Sequence, residues 1–165
     1  MKAPQFASLA LMGSWLADAT EAACPLRVLL VDSDRTSLAF VEDLLDRAPS
    51  RYNLSWTDDP EDALAVLRYA DVPICLVDAK LPGAIDILRR ARRSGYRGVS
   101  LMLSEQDDAT ADLAAMHAGA HAFLLKDELN PLQLERSIRY ALSLQRRMVA
   151  LQEMARRDPL TGNSR

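Results

Sequence analysis

The chain has 165 residues, 49% of them hydrophobic and 26% charged, with a formal net charge of −3. Such a composition builds a packed globular core, its length suits one domain plus extensions, and its acidic balance recommends no nucleic-acid partner. Cys24 and Cys75 have neither metal-ligand nor redox spacing, so a reducing, cytoplasmic setting is expected.

Residues 6–16 are fairly apolar, follow a single Lys2 and precede Ala17-Asp18-Ala19, the outline of an export signal. Ser8, Gly13 and Ser14 interrupt the run. Residues 1–25 are therefore read as an N-terminal helix or loosely held extension ended by Pro25. A spanning helix takes about 20 apolar residues, so no membrane partner is expected.

Val28-Leu29-Leu30-Val31 is an apolar, partly β-branched run that reads as a buried strand. After Asp32-Ser33-Asp34, Leu38, Val41, Leu44 and Leu45 recur at helical spacing, and Pro49 closes that helix. Residues 52–57 form a short, half-buried strand. Asp58 or Asp59 caps a helix opened by Pro60 and carrying Ala63, Leu64 and Leu67 inward. Residues 74–77 are a second fully apolar strand. A helix over 84–94 turns Ile87, Leu88 and Ala91 inward and a basic face outward, and Gly95 stops it. Residues 99–103 are another apolar strand. A helix follows over 107–118, with Leu113 and Met116 inward and Gly119 at its end. A last strand covers 121–125, and Pro131 opens a helix with no clear stop before Pro159. Strands alternating with helices in this way predict an α/β fold: a flavodoxin-like, doubly wound, five-stranded parallel sheet of order 2-1-3-4-5 with an extended C-terminal helix.

The strands end in chemistry. Strand one ends at Asp32, strand three at Asp78, strand four at Ser104 and strand five at Lys126. In a parallel sheet of that order these four ends share one rim, at the crevice where such folds bind ligands. Two close carboxylates call for a hard cation such as Mg2+, which takes one or two carboxylates and fills its other sites with water and phosphate oxygens. The hydroxyl and ammonium opposite suit a phosphoryl group. His117 and His121 lack metal-ligand companions and are read as structural or solvent-facing.

Four motifs carry a resemblance: Leu30-Val31-Asp32, Leu76-Val77-Asp78-Ala79-Lys80-Leu81-Pro82-Gly83, Met102-Leu103-Ser104, and the run Gly119-Ala120-His121-Ala122-Phe123-Leu124-Leu125-Lys126. On these, residues 27–150 resemble a response-regulator receiver domain of two-component signalling. The resemblance implies that Asp78 accepts a phosphoryl group from a histidine kinase or phosphotransfer protein. Asp32, Asp78 and the backbone carbonyl of Lys80 would hold Mg2+. Ser104 would hydrogen-bond the phosphoryl group, Lys126 would pair with it, and Ser104 and Phe123 would form the switch. Two positions depart from the family pattern. Ser33 stands where a second acidic residue is usual, leaving Asp34 as a further candidate ligand, and the loop after Gly83 is about two residues short.

Leu134, Ala141, Leu144, Met148, Leu151 and Ala155 follow steps of three and four, with a gap at Ser137. Beyond about Leu142 the helix is expected to outrun the domain, and a short parallel coiled coil in a homodimer would bury the stripe. The alternative is a helix folded back on its own domain. Arg146-Arg147 and Arg156-Arg157 fall outside the seam. Asp158-Pro159-Leu160-Thr161-Gly162 resembles the opening of a diguanylate cyclase (GGDEF-type) domain. The expected organisation is an extension at 1–25, a receiver at 26–142, a signalling helix at 143–158 and the start of an output domain at 159–165. The leading expectation is a phosphorylatable, non-enzymatic signalling domain. The alternative is a degenerate receiver acting as a phosphate-independent interaction module.

Overall fold

Short apolar strands separated by ten or more residues of helix can return to one sheet only through crossovers, which makes the pairing parallel. The computed structural model describes residues 24–157. The expectations for residues 1–23, including the export-signal outline, and for the turn at 158–162 lie outside the described residues. The elements are β1 (Leu26–Val31), α1 (Arg35–Asp46), β2 (Tyr52–Thr57), α2 (Pro60–Tyr69), β3 (Ile74–Asp78), α3 (Ala84–Arg93), β4 (Val99–Ser104), α4 (Ala109–Ala118) and β5 (Ala122–Leu125). A 3-10 turn (Lys126–Glu128) and α5 (Pro131–Arg157) follow. The sheet is parallel throughout in the order β2-β1-β3-β4-β5.

The period-2 alternation of the central strands divides the core into two layers. Leu29, Val31, Cys75, Val77 and Met102 pack with Ala63 and Leu67 of α2, Ile87 and Leu88 of α3 and Ala115 of α4. Val28, Leu30, Ile74, Leu76, Leu101 and Leu103 face Val41, Leu44 and Leu45 of α1 and Leu134, Ile138 and Ala141 of α5. Each buried Val, Leu, Ile or Met among these contributes about 1.5–3 kcal/mol by leaving water. The strands that end in chemistry are thereby held rigidly from both faces.

The helix starts follow local chemistry. The side chains of Asp34, Asp59 and Asp108 accept from backbone N–H groups in the first turns of α1, α2 and α4, relieving donors that have no partner within the helix. Gly119 ends α4 at φ 116°, which glycine adopts without the Cβ penalty.

Two expectations need correction. Leu113 and Met116 do not face the core; both are exposed, and Ala115 and Ala118 are buried instead. Apolar residues occur all round α4, so spacing selects no face, and the sheet takes the small side chains because they allow close approach. The C-terminal helix also keeps its hold on the domain past Leu142. Gln145 Nε2 donates to the Arg97 carbonyl (3.0 Å), Gln145 Oε1 lies 3.2 Å from His121 Nε2, and Glu153 pairs with Arg97 at 3.7 Å. The apolar stripe is therefore split. Leu134 and Ala141 belong to the core, while Leu144, Met148 and Leu151 are exposed.

A buried carboxylate ties α5 to the sheet. Glu135, 1% exposed, accepts from Ser50 N (2.9 Å), Ser50 Oγ (3.0 Å), Tyr52 Oη (2.9 Å) and Arg139. Burial pushes its carboxyl up, but the bonds from Ser50 and Tyr52 and the charge of Arg139 prevail and hold it below the usual range.

Candidate functional site

The register aligns Val31 with Val77, Asp78 with Leu103 and Ser104 with Leu125, which brings the C-terminal ends of β1, β3, β4 and β5 to one rim. Each functional side chain lies at or just beyond the last paired residue of an apolar strand. The runs behind Asp32, Asp78 and Ser104 are buried and that behind Lys126 is half-buried, so the polar residues are held at the mouth with little freedom.

Asp78 is 3% exposed. Its Oδ1 accepts from the Lys80 backbone N–H at 2.7 Å, and its Oδ2 accepts from Lys126 Nζ. Lys126, also buried, donates to Ser37 Oγ at 2.8 Å and lies 3.8 Å from Asp32 Oδ2. Asp32 Oδ1 accepts from the Asp34 N–H at 2.9 Å, whereas its buried Oδ2 has no hydrogen-bond partner. Burial pushes the Asp32 carboxyl above its ordinary value; the Asp34 N–H opposes that push and nearby Asp78 reinforces it. Two buried carboxylates thus share one ammonium, and the pocket keeps an excess of negative charge.

The donor set fits a hard cation on this observation. An orphaned, buried carboxylate oxygen beside a second carboxylate is what Mg2+ at a phosphoryl-transfer site uses. No cluster of three or more His, Cys, Asp or Glu able to hold a metal occurs among the described residues, so a cation would need backbone and solvent oxygens too. Ser33 is exposed. Asp34, the further candidate, has its Oδ1 on the Thr36 N–H (2.9 Å), capping α1. The short loop after Asp78 is a run of tight turns, with Leu81 N bonded to Asp78 O and Ala84 N to Leu81 O, and Gly83 at φ 82° starts α3 at once.

Ser104 lies on the rim, but its hydroxyl is engaged within its own loop, donating to Gln106 O (2.8 Å) and accepting from Gln106 N (3.1 Å). Phe123 is half-buried and packs against the α2–α3–α4 layer. Asp32, Asp78 and Lys126 are therefore brought together directly, and Ser104 and Phe123 lie alongside.

Two participants escaped the sequence reading. Ser37 shares the inward face of α1 with Val41 and Leu44, so a hydroxyl in an apolar stripe was the available signal. Glu105 follows Ser104 and has its Oε1 2.6 Å from Lys80 Nζ and its Oε2 4.0 Å from Lys126 Nζ; nothing in its local sequence points to that. A cavity of about 380 Å³ lined by Ser37, Phe40, Glu105 and Lys126 opens beside the ammonium.

A flavodoxin-like sheet with two acids and a lysine clustered at its switch point has the architecture of a signalling receiver domain. Residues 28–139 match the response regulator receiver domain family, and the chain belongs to it. It is 29% identical over 115 residues to the nitrate/nitrite response regulator protein NarP of Escherichia coli K12, an alignment covering 68% of this chain and 54% of that protein. The chain thus spans about half the length of this curated relative. Among solved structures it is similar to the signal receiver domain of an HD domain-containing protein from Pseudomonas fluorescens Pf-5, with a TM-score of 0.66 at 25% identity, covering 76% of this chain and 93% of that one. A CheY-like receiver domain from Methanospirillum hungatei JF-1 gives a TM-score of 0.64 at 23% identity, covering 76% and 99%. Receiver domains are signalling domains that interact with histidine kinases or phosphotransfer proteins and generally bind Mg2+ at their acidic pocket. No helix among the described residues is long and apolar enough to cross a membrane.

Proposed function

We propose that this receiver is phosphorylated on Asp78 by a histidine kinase or phosphotransfer protein. One observation carries the reading: a buried Asp78 held by the Lys80 N–H and by Lys126, next to an Asp32 oxygen that accepts no hydrogen bond. A carboxylate oxygen of Asp78 attacks the phosphorus of a phosphohistidine. The P–N bond breaks, its electron pair returns to the imidazole, and the ring leaves neutral, keeping the proton on its other nitrogen. Such a transfer needs positioning and charge neutralisation more than covalent help. Lys126 supplies a positive charge to the incoming phosphoryl oxygens. Ser104 exchanges Gln106 for a phosphoryl oxygen, and Phe123 moves inward behind it, a local charge change that biases a two-state loop. Asp32, Asp78 and the Lys80 carbonyl would hold Mg2+, with Asp34 in second place because it caps α1. Mg2+ bound there supplies further neutralisation of phosphoryl charge.

The reading extends to the output. The exposed half of the α5 stripe, Leu144, Met148 and Leu151, pairs with a second copy as a short coiled coil over the linker at 143–158. The signal then passes to an output domain beginning near 159, and the likeness of Asp158-Pro159-Leu160-Thr161-Gly162 to a diguanylate cyclase opening makes cyclic di-GMP synthesis the proposed output. A cytoplasmic setting goes with this reading. The second reading, a phosphate-independent interaction module, draws support from exposed Ser33 and from the commitment of Asp34 to capping.

Incubation with Mg2+ and acetyl phosphate, followed by intact-mass measurement and light scattering, separates the two. The first reading expects a single phosphoryl adduct, lost in Asp78→Asn, and a shift toward dimer. Absence of an adduct on the unsubstituted protein favours the second.

A further inference from the structure

Three carboxylates face the Lys126 ammonium, and they are unequal. Asp32 and Asp78 are buried at strand ends, whereas Glu105 has a side chain 46% exposed on the β4–α4 loop. Glu105 spans the mouth of the site. One oxygen is on Lys80 of the β3–α3 loop at 2.6 Å, and the other is 4.0 Å from Lys126. Lys80 in turn holds Asp78 through its backbone N–H. A phosphoryl group carries about −1.5 to −2 charges at neutral pH. Placed on Asp78, it consumes that carboxylate's single charge and sets a larger one against Lys126, repelling the two carboxylates that remain. Asp32 is buried at the end of its strand, so Glu105 is the one free to leave.

We propose that Glu105 is an internal competitor of the phosphoryl group: latched by Lys80 across the pocket, it occupies the cation field that the phosphoryl group needs and is expelled when Asp78 is modified. This rests on Asp78 being the phosphoacceptor, and it assigns Glu105 and Lys80 as positioning residues that set how readily acceptance occurs. Glu105 directly follows Ser104, so its expulsion moves the same loop that Ser104 must reorganise. The Lys80–Glu105 pair is then a latch rather than a stability device. As a solvent-exposed pair it adds little to folding, but its Glu105 charge lies 4.0 Å from the Lys126 ammonium, well inside the range over which salt screens charges.

The test uses the full chain with acetyl phosphate and Mg2+, following adduct formation by intact mass at two salt concentrations. Glu105→Gln keeps the shape and removes the charge. It should speed phosphorylation about tenfold, equivalent to about 1.4 kcal/mol, and flatten the salt dependence. Lys80→Gln opens the latch, so Glu105 no longer spans the pocket; it should also speed phosphorylation, by less than Glu105→Gln because it removes a nearby positive charge as well. Beryllofluoride binding, read by tryptophan emission because the Trp56 indole N–H donates to the Asp32 carbonyl, should tighten in Glu105→Gln by a similar factor. If the unsubstituted protein is labelled and Glu105→Gln changes rate and affinity less than twofold, or lowers them, the competitor role is overturned while Asp78 remains the acceptor. If neither protein takes an adduct or binds beryllofluoride, the acceptor reading itself falls, and the competitor role with it.

Discussion

Replacing Lys126 with Met removes the one ammonium shared by Asp32 and Asp78 while roughly keeping the side-chain volume, so the cavity contribution is small. Lys126, Asp78 and Asp32 are 9%, 3% and 2% exposed, so the two remaining carboxylates face each other with little solvent to screen them. Deleting one partner of a buried charge pair costs about 3–5 kcal/mol. The pocket opens at its mouth, which puts the expected loss at the lower end, about 3 kcal/mol at pH 7 in EDTA. Urea unfolding followed by circular dichroism reads this as a lower midpoint at unchanged slope. The pH sign follows from Asp32, whose carboxyl already lies above its ordinary value because of burial and Asp78; without Lys126 it rises further. A carboxyl raised in the folded state contributes stability that is full below the unfolded value of about 3.9 and is lost as pH rises through the folded value. The deficit should therefore be small near pH 4 and grow as pH rises. Saturating Mg2+ should restore part of it, about 2.7 kcal/mol at a hundred times its Kd. A deficit below about 1 kcal/mol at pH 7 without Mg2+, or one that grows toward acid, would refute this account of the pocket.

Glu135→Gln weakens the anchor between α5 and β2 and should cost about 2 kcal/mol in the same assay. Because the Glu135 carboxyl is held low, its contribution is present above the unfolded value of about 4.3 and fades as pH falls through the folded one. The variant should therefore lose less stability than the parent on acid titration by circular dichroism. Gly98→Ala would bring a Cβ to 2.6 Å from the Pro73 carbonyl and into the Tyr96 ring, whose hydroxyl is held on Val72 O at 2.7 Å. A thermal melt should show a loss of about 1–3 kcal/mol. Leu151→Glu, on the exposed half of the α5 stripe, should abolish the phosphate-induced dimer in light scattering and leave the monomer melt unchanged.

The strand ends were legible because burial and chemistry coincide in one dimension. An uninterrupted apolar run that stops at Asp32, Asp78, Ser104 or Lys126 marks both a core strand and the residue it delivers to the rim. The same patterning yielded the sheet order, since short strands alternating with helices leave few right-handed windings. Where local sequence lacked contrast, it failed. In α4 the apolar residues occupy all faces, and only contact with the sheet selected Ala115 and Ala118 over Leu113 and Met116.

By itself, then, the sequence determined the α/β winding and the identity of the groups that meet at the rim, because both follow from hydrophobic periodicity and its interruptions. The tertiary structure decided what surrounds them. Ser37 and Glu105 reach Lys126 across 89 and 21 positions of chain, Glu135 reaches Ser50 across 85, and α5 is kept on the domain through Gln145 and Arg97. These are contacts between elements distant in sequence, and their distances are set by how helices pack on a twisted sheet, which no local pattern encodes.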